Sequence, residues 1–154
     1  MKKSKLLFGL FLALLIEIPF FKGLSQYANL SNAYTHAQSL ALQSPENANK
    51  PIVYIFYNDE PCETCPQAAA MAYDLVKDNF GNDVNVFEIN YAAAGEENFE
   101  WEYHLEQPLS VVVVKMQDGT VLGYEKIDNP QLMLDNQYYF AEKIINAIND
   151  VLAV

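Results

Sequence analysis

The chain has 154 residues, of which 51% are hydrophobic and 19% are charged, and its formal net charge at pH 7 is -11. This length and composition suit one globular domain with an ordinary hydrophobic core. Proteins bind nucleic acids and anionic lipid surfaces through clustered positive charge. Because the sequence has no arginine and no basic patch, both are excluded as expected partners.

The first 25 residues have the pattern of a secretory signal peptide. Three lysines near the start precede an apolar stretch at residues 6–16, and the small residues of Gly23-Leu24-Ser25 suit cleavage before Gln26. The stretch is shorter than the about 20 apolar residues that a membrane-spanning helix needs. We therefore expect an exported, periplasmic protein without residues 1–25, with an uncleaved N-terminal membrane anchor as the alternative.

Residues 25–43 are expected to form an N-terminal helix, because their apolar residues recur at close to helical spacing. Ser44-Pro45-Glu46-Asn47 ends this pattern as a short linker. Residues 26–49 are thus a predicted helix and linker, ahead of a domain that spans residues 50–154.

From residue 50 onward, strand and helix patterns alternate. Residues 52–57 predict a strand buried on both faces, and the helix that follows has Thr64 and Gln67 at the spacing of a capping box and Pro66 in its first turn. The predicted elements are strands at 52–57, 84–90, 109–116 and 121–127, helices at 65–80, 96–103 and 138–152, and a hairpin turn at Asp118-Gly119. The order β-α-β-α-β-β-α predicts an α/β fold, in which the first half makes a parallel crossover and the second half adds an antiparallel hairpin.

The only two cysteines of the chain, Cys62 and Cys65, lie where the first predicted strand leads into a helix. One helical turn brings both sulfurs together at this spacing, as in a dithiol that cycles with a disulfide. A static disulfide and a metal site remain open as alternatives. The chain has no second C-x-x-C or H-x-x-x-H half of a zinc site, and His36 and His104 are expected to be solvated surface residues.

This arrangement resembles the thioredoxin fold, which carries its dithiol at the start of the first core helix. The resemblance implies a thioredoxin-like sandwich of three layers, a mixed sheet between helices, with an extra N-terminal helix. Pro108, just before the third strand, matches the family's cis-proline that faces the dithiol, and Tyr103-x-Leu105 matches its Tyr-x-aliphatic approach with a spacing one residue shorter. The resemblance covers residues 51–154. It implies that Cys62 is the exposed nucleophile, that Cys65 is the buried resolving cysteine, and that Pro108 belongs to the catalytic site.

Two positions depart from the thioredoxin pattern. Phe56 stands where thioredoxins have a buried acid six residues before the first cysteine, and Pro61 stands where they have tryptophan. Glu88 is a candidate substitute proton acceptor under the dithiol. The alternative is a strand glutamate that faces outward into solvent.

A narrower resemblance rests on four motifs: Val53-Tyr54-x-Phe56, Cys62-x-Thr64-Cys65, Phe80-Gly81-Asn82-Asp83-Val84 and Phe87-Glu88-Ile89-Asn90-Tyr91. Together they are similar to a small exported thioredoxin-like family of Bacteroides-type bacteria. Some members are labelled as subunits of a nitrophenyl-compound nitroreductase, which implies electron delivery.

The charges around the two cysteines favour a reducing pair. A helix N-terminus stabilises a thiolate, but Asp59, Glu60 and Glu63 oppose its ionisation, and no cationic residue lies between the cysteines. We therefore expect a reduction potential of roughly -200 to -270 mV.

The sequence thus predicts an exported thiol–disulfide oxidoreductase that uses the Cys-Glu-Thr-Cys dithiol to reduce protein disulfides or to pass electrons to a partner. No cofactor is expected. The expected partners are protein thiols or disulfides and a redox partner protein. The alternatives are an exported copper- or zinc-binding module and a non-catalytic partner subunit on a thioredoxin scaffold.

Overall fold

A four-stranded mixed sheet forms the centre of the domain. The computed structural model describes residues 36–38, 40 and 43–153, except for the side chain of Glu97. The strands are β1 (Ile52–Tyr57), β2 (Asn85–Asn90), β3 (Leu109–Gln117) and β4 (Thr120–Asp128), and the helices are α1 (Cys65–Phe80), α2 (Glu97–Tyr103) and α3 (Gln137–Leu152). Two short 3-10 helices are Pro45–Asn49 and Pro130–Met133. The predicted order β-α-β-α-β-β-α is confirmed.

The strands lie in the spatial order β2-β1-β3-β4. β1 pairs with β2 in parallel across the α1 crossover, whereas β1 with β3 and β3 with β4 are antiparallel. The β3–β4 turn is the predicted one, since Asp118 and Gly119 both have positive φ, at 49° and 76°, as a tight hairpin turn requires. The mixed sheet and its helical layers confirm the predicted α/β architecture.

β1 is buried on both of its faces, as its apolar sequence predicts. Val53 and Ile55 belong to one core cluster, with α1 and α3, while Tyr54 and Phe56 belong to a second cluster on the opposite face, with α2. All four side chains are 0% exposed. β1 therefore forms the middle layer, and its carboxyl end, at Tyr57, has a fixed position from which the next loop starts.

Helix α1 begins without the predicted capping box. Thr64 has helical backbone angles, φ -95° and ψ -11°, and its side chain caps no backbone amide. The prediction for Thr64 and Gln67 is wrong, because a side-chain cap needs an extended residue before the helix, and Thr64 already follows the helical path. Pro66 does lie in the first turn, where its missing N–H costs no hydrogen bond.

The N-terminal predictions fall largely outside the described residues. The whole signal segment 1–25 does so, as does most of the predicted helix at 25–43, of which residues 36–38, 40 and 43 are described and helical. Within the described part of the chain, no helix is long and apolar enough to cross a membrane.

His36 is not the solvated surface residue that the sequence predicts. Its Nδ1 lies 2.7 Å from the Tyr54 hydroxyl, and its ring packs edge-on against Phe87 and Phe99. Burial lowers the pKa of His36, partly offset by the negative charge of Glu96. The helical pattern of the sequence did not reveal this contact. It assigned Ala37 to the apolar face of the helix, and it gave no sign that the neighbouring His36 also reaches the sheet. His104 is exposed, as expected.

Candidate functional site

The two cysteines lie at the junction of a turn and a helix, at the carboxyl end of β1. The turn begins at Asn58, whose Oδ1 accepts a hydrogen bond from the Glu60 amide at 3.0 Å. Such an Asx turn reverses the chain after a strand. The loop then passes through Cys62 and enters α1 at Cys65, so the position of the pair is set by the turn and the helix start.

Cys62 and Cys65 are joined by a disulfide, with their Cα atoms 5.4 Å apart. Cys62 is half-buried, whereas Cys65 is 7% exposed and packs in the core with α1. One sulfur of the pair is therefore more accessible than the other. An incoming thiol or thiolate has a more open approach to Cys62.

The disulfide opens into a cleft of about 330 Å³, here called the dithiol cleft. Both cysteines line it, together with Pro66 and Ala69 of α1, Glu88 of β2 and Pro108. The structure thus brings together the three predicted site residues, Cys62, Cys65 and Pro108. In the sequence, Pro108 is separated from the two cysteines by more than 40 residues.

Pro108 lines the cleft, but the expected cis bond before it is absent. Every peptide bond in the described residues is trans. The expectation rested on a family motif whose spacing is one residue shorter here, and a trans X–Pro bond is the ordinary state, favoured by about 0.5–1 kcal/mol. The Pro108 carbonyl accepts a hydrogen bond from the Asn58 amide at 3.4 Å, which ties this segment to the loop that carries the cysteines.

A hydrogen-bonded clamp holds the walls of the cleft together. Asn58 Nδ2 donates to the Tyr91 hydroxyl at 2.8 Å, and that hydroxyl donates to the Gln107 carbonyl at 2.8 Å. The clamp, defined as Asn58, Tyr91 and Gln107, thereby connects the loops after β1 and β2 with the segment before β3. Burial raises the pKa of Tyr91, the hydrogen bond from Asn58 opposes the shift, and nearby carboxylates add to it.

The clamp continues into the 3-10 helix Pro130–Met133. Asn129 Nδ2 donates to Gln107 Oε1 at 2.8 Å, and Gln131 Nε2 donates to Asn129 Oδ1 at 3.1 Å. Sequence reasoning missed all of these residues. The available signal was positional: Asn58 and Tyr91 each follow directly after one of two neighbouring parallel strands, whose carboxyl ends meet at one edge of a sheet.

Glu88 is exposed and lies in the dithiol cleft with both cysteines. Glu88 is therefore exposed, as the alternative of an outward-facing glutamate predicted. Its position on β2 nevertheless places it in the lining of the cleft. Phe56, at the position of the family's buried acid, packs on the opposite face of the sheet against Tyr54 and Tyr103. Glu88 and Glu60 are the acids that line the cleft.

The residues that the structure describes offer no group of three or more His, Cys, Asp or Glu side chains that could hold a metal ion. His36 is engaged with Tyr54.

Comparison with known proteins yields only distant structural similarity. No protein-family model and no curated protein matches the chain. Trxlp from Edwardsiella tarda EIB202 is 17% identical, with a TM-score of 0.41, over 61% of this chain and 79% of the other. The reduced Schistosoma mansoni thioredoxin pre-protein is 16% identical, with a TM-score of 0.43, over 66% and 86% of the two chains. These matches are too distant to bear on substrate, partner or mechanism.

Proposed function

We propose that this protein is an exported thiol–disulfide oxidoreductase that reduces disulfides of partner proteins. The observation that carries the proposal is the Cys62–Cys65 disulfide, formed at the start of α1 and open to the dithiol cleft. Two cysteines three residues apart, the first half-buried and the second buried, are the arrangement that thiol exchange through a mixed disulfide needs.

The reaction starts from the reduced protein. The Cys62 thiolate attacks one sulfur of a substrate disulfide, the substrate S–S bond breaks, and the departing substrate thiolate takes up a proton. The Cys65 thiolate then attacks the Cys62 sulfur, the mixed disulfide breaks, and the second substrate thiol leaves. Two electrons have moved to the substrate, and the protein retains the Cys62–Cys65 disulfide. A separate dithiol reductant returns it to the reduced form.

The residues around the pair have separate roles in this scheme. Pro108 forms one wall of the cleft, against which the substrate segment lies beside the mixed disulfide. The clamp of Asn58, Tyr91 and Gln107 keeps this wall at a fixed position relative to the cysteine loop. Electron delivery to one dedicated partner, as the narrower family resemblance implies, is a specific form of the same chemistry.

The proposal is tested by disulfide reduction with dithiothreitol as the reductant and insulin as the protein substrate. The wild-type protein should accelerate the reduction above the rate with dithiothreitol alone, because it is re-reduced and acts repeatedly. The double variant Cys62→Ser/Cys65→Ser is the control and should give the dithiothreitol rate. Equal rates for the wild type and the control would show that the protein lacks the proposed activity.

A further inference from the structure

The dithiol cleft continues into a second concavity beside it. This side concavity has a volume of about 550 Å³. Asn58 and Glu60 line both spaces, so the two spaces adjoin at these residues, and together they are here called the groove.

The groove combines an apolar floor with acidic edges. Cys65, Pro66, Ala69 and Pro108 provide apolar surface next to the disulfide. Five carboxylates lie along the two spaces: Glu60 and Glu88 in the dithiol cleft, and Asp59, Glu60, Glu100 and Glu106 in the side concavity. Among the residues that the structure describes, no lysine, arginine or histidine lines either space.

The groove carboxylates have no cationic partner among the described residues. The ion pair found among the described residues is Lys126 with Asp128, at 3.1 Å, and neither residue lines the groove. Asp59 accepts a hydrogen bond from the neutral Asn90 amide at 2.9 Å, which leaves its charge uncompensated. Like charges gathered along a groove give a local negative potential that raises the concentration of cations there.

We propose that the groove selects disulfides whose cysteines are flanked by lysine or arginine, so that the natural substrate is a cationic protein segment. This inference rests on the proposed function, since the groove matters only if the dithiol exchanges with a substrate. Charge complementarity identifies the occupant: a basic segment supplies the cations that the groove lacks, while an anionic disulfide is repelled.

The selection is local to the groove and is separable from the charge of the whole molecule. At physiological ionic strength, charges farther apart than about 8 Å are largely screened from one another. Glu60 and Glu88 line the space that holds the disulfide, so they act on a substrate at the moment of exchange. Exposed acids such as Glu125 of β4 and Glu142 of α3 line neither space.

The test measures second-order rate constants for the pre-reduced full chain against three synthetic disulfide-linked peptide dimers. The peptides share one sequence and differ only in whether lysine, glutamine or glutamate flanks the cysteine. At low salt, the lysine peptide should react at least about tenfold faster than the glutamate peptide, with the glutamine peptide between them. The ratio should fall toward one at high salt, because screening removes the selection.

A charge-matched pair of variants then locates the effect. Glu60→Gln/Glu88→Gln should lower the lysine-to-glutamate rate ratio several-fold, whereas Glu125→Gln/Glu142→Gln, with the same change in net charge, should leave it unchanged. The ratio is the right quantity, because a change in the reactivity of the Cys62 thiolate alters the rates for all three peptides alike.

The outcomes separate this inference from the proposed function. If all three peptides are reduced at equal rates, the charge selection is wrong and the reductase activity stands. If the distant pair lowers the ratio as much as the groove pair, the selection belongs to the overall charge and the groove has no special part. If none of the peptides is reduced, the neutral one included, the proposed function fails and the inference with it.

Discussion

The two sulfurs of the disulfide lie in different environments, and their exposure assigns their roles. Cys62 is half-buried in the loop, whereas Cys65 is buried in the first turn of α1. In the reduced protein the attacking thiolate must approach the substrate disulfide in line with the bond that breaks, and the half-buried Cys62 has a more open approach than the buried Cys65. Cys65 is, however, well placed to attack Cys62 within the same chain.

Cys65→Ser should therefore trap substrates as stable mixed disulfides on Cys62, because the thiol that resolves them is missing. Cys62→Ser should trap almost none. Non-reducing electrophoresis with mass spectrometry of the adducts measures both. The reverse pattern, with adducts on Cys65 alone, would show that Cys65 is the attacking cysteine and Cys62 the resolving one.

The acids beside the pair also set its redox balance. Glu60 lines the cleft, Glu63 lies between the cysteines, and neither cysteine has a lysine, arginine or histidine within the cleft lining. A strong oxidant needs a stabilised thiolate, and these charges disfavour one.

We expect a reduction potential of roughly -200 to -270 mV. Equilibration with dithiothreitol or glutathione buffers, followed by counting of free thiols, measures it. A value near about -120 mV, typical of a strong oxidant, would contradict the argument and reverse the direction of electron flow.

At the scale of the elements, the clamp joins segments that are far apart in the chain. The Tyr91 hydroxyl makes one hydrogen bond to each of two loops, and Tyr91 is 5% exposed. Both bonds are part-buried, so water replaces a lost bond only incompletely, and the groups left behind are poorly paired.

Tyr91→Phe should lower the free energy of unfolding by about 1–3 kcal/mol, because it leaves Asn58 Nδ2 and the Gln107 carbonyl without this partner. Urea denaturation of the oxidised protein measures the change. Tyr138→Phe is the matched control: Tyr138 is 78% exposed, so the same loss of a hydroxyl should change stability by less than about 0.5 kcal/mol. Equal effects in the two variants would show that the clamp contributes nothing.

The contact between His36 and the second core cluster makes stability depend on pH. Burial lowers the pKa of His36 in the folded protein below its ordinary value of 6.5. Above pH 6.5 the imidazole is neutral in both states. As the pH falls through 6.5 toward the folded-state value, the unfolded chain binds the proton first, so the folded state loses stability.

Stability should thus fall between pH 7 and pH 5.5, and His36→Asn should make this slope shallower. His104→Asn is the control, since His104 is exposed and asparagine tolerates its left-handed backbone, φ 51°. Chemical denaturation across this pH range measures the slopes. An unchanged slope in His36→Asn would assign the pH dependence to other groups.

For the molecule as a whole, the sequence predicted the elements well and their side-chain contacts poorly. The run Val111–Val114 and the Asp118-Gly119 turn carry local signals, because β-branched residues favour strands and positive φ favours glycine. The 3-10 helix Pro130–Met133 and the clamp carry none, because they depend on side chains from several loops. Thr64 is a similar case. Whether its side chain caps the helix depends on the backbone path of the loop, which the local sequence does not specify.

For the candidate site, the sequence predicted that three residues lie together but only part of their geometry. Cys62, Cys65 and Pro108 do share one cleft, but the trans bond before Pro108 and the acidic side concavity followed from no motif. A groove formed by separate loops is visible only when the loops are folded together.

Export is a property of the whole chain, and we propose it from the lysine-rich start and the apolar stretch at residues 6–16. Protein purified from its native host should begin near Gln26. N-terminal sequencing tests this directly, and an intracellular product that retains Met1 would contradict it.

The position of β1 in the sheet also affects how the chain is made. One of its partners, β2, follows after a single helix, but the other, β3, comes only after a further strand and helix. A chain that emerges from its amino end therefore exposes an entirely apolar strand until β3 has been synthesised and can cover its second edge. Such unpaired strands attract chaperones and aggregate readily. The central place that makes β1 a rigid support for the site thus also makes it the segment that most needs protection during biosynthesis.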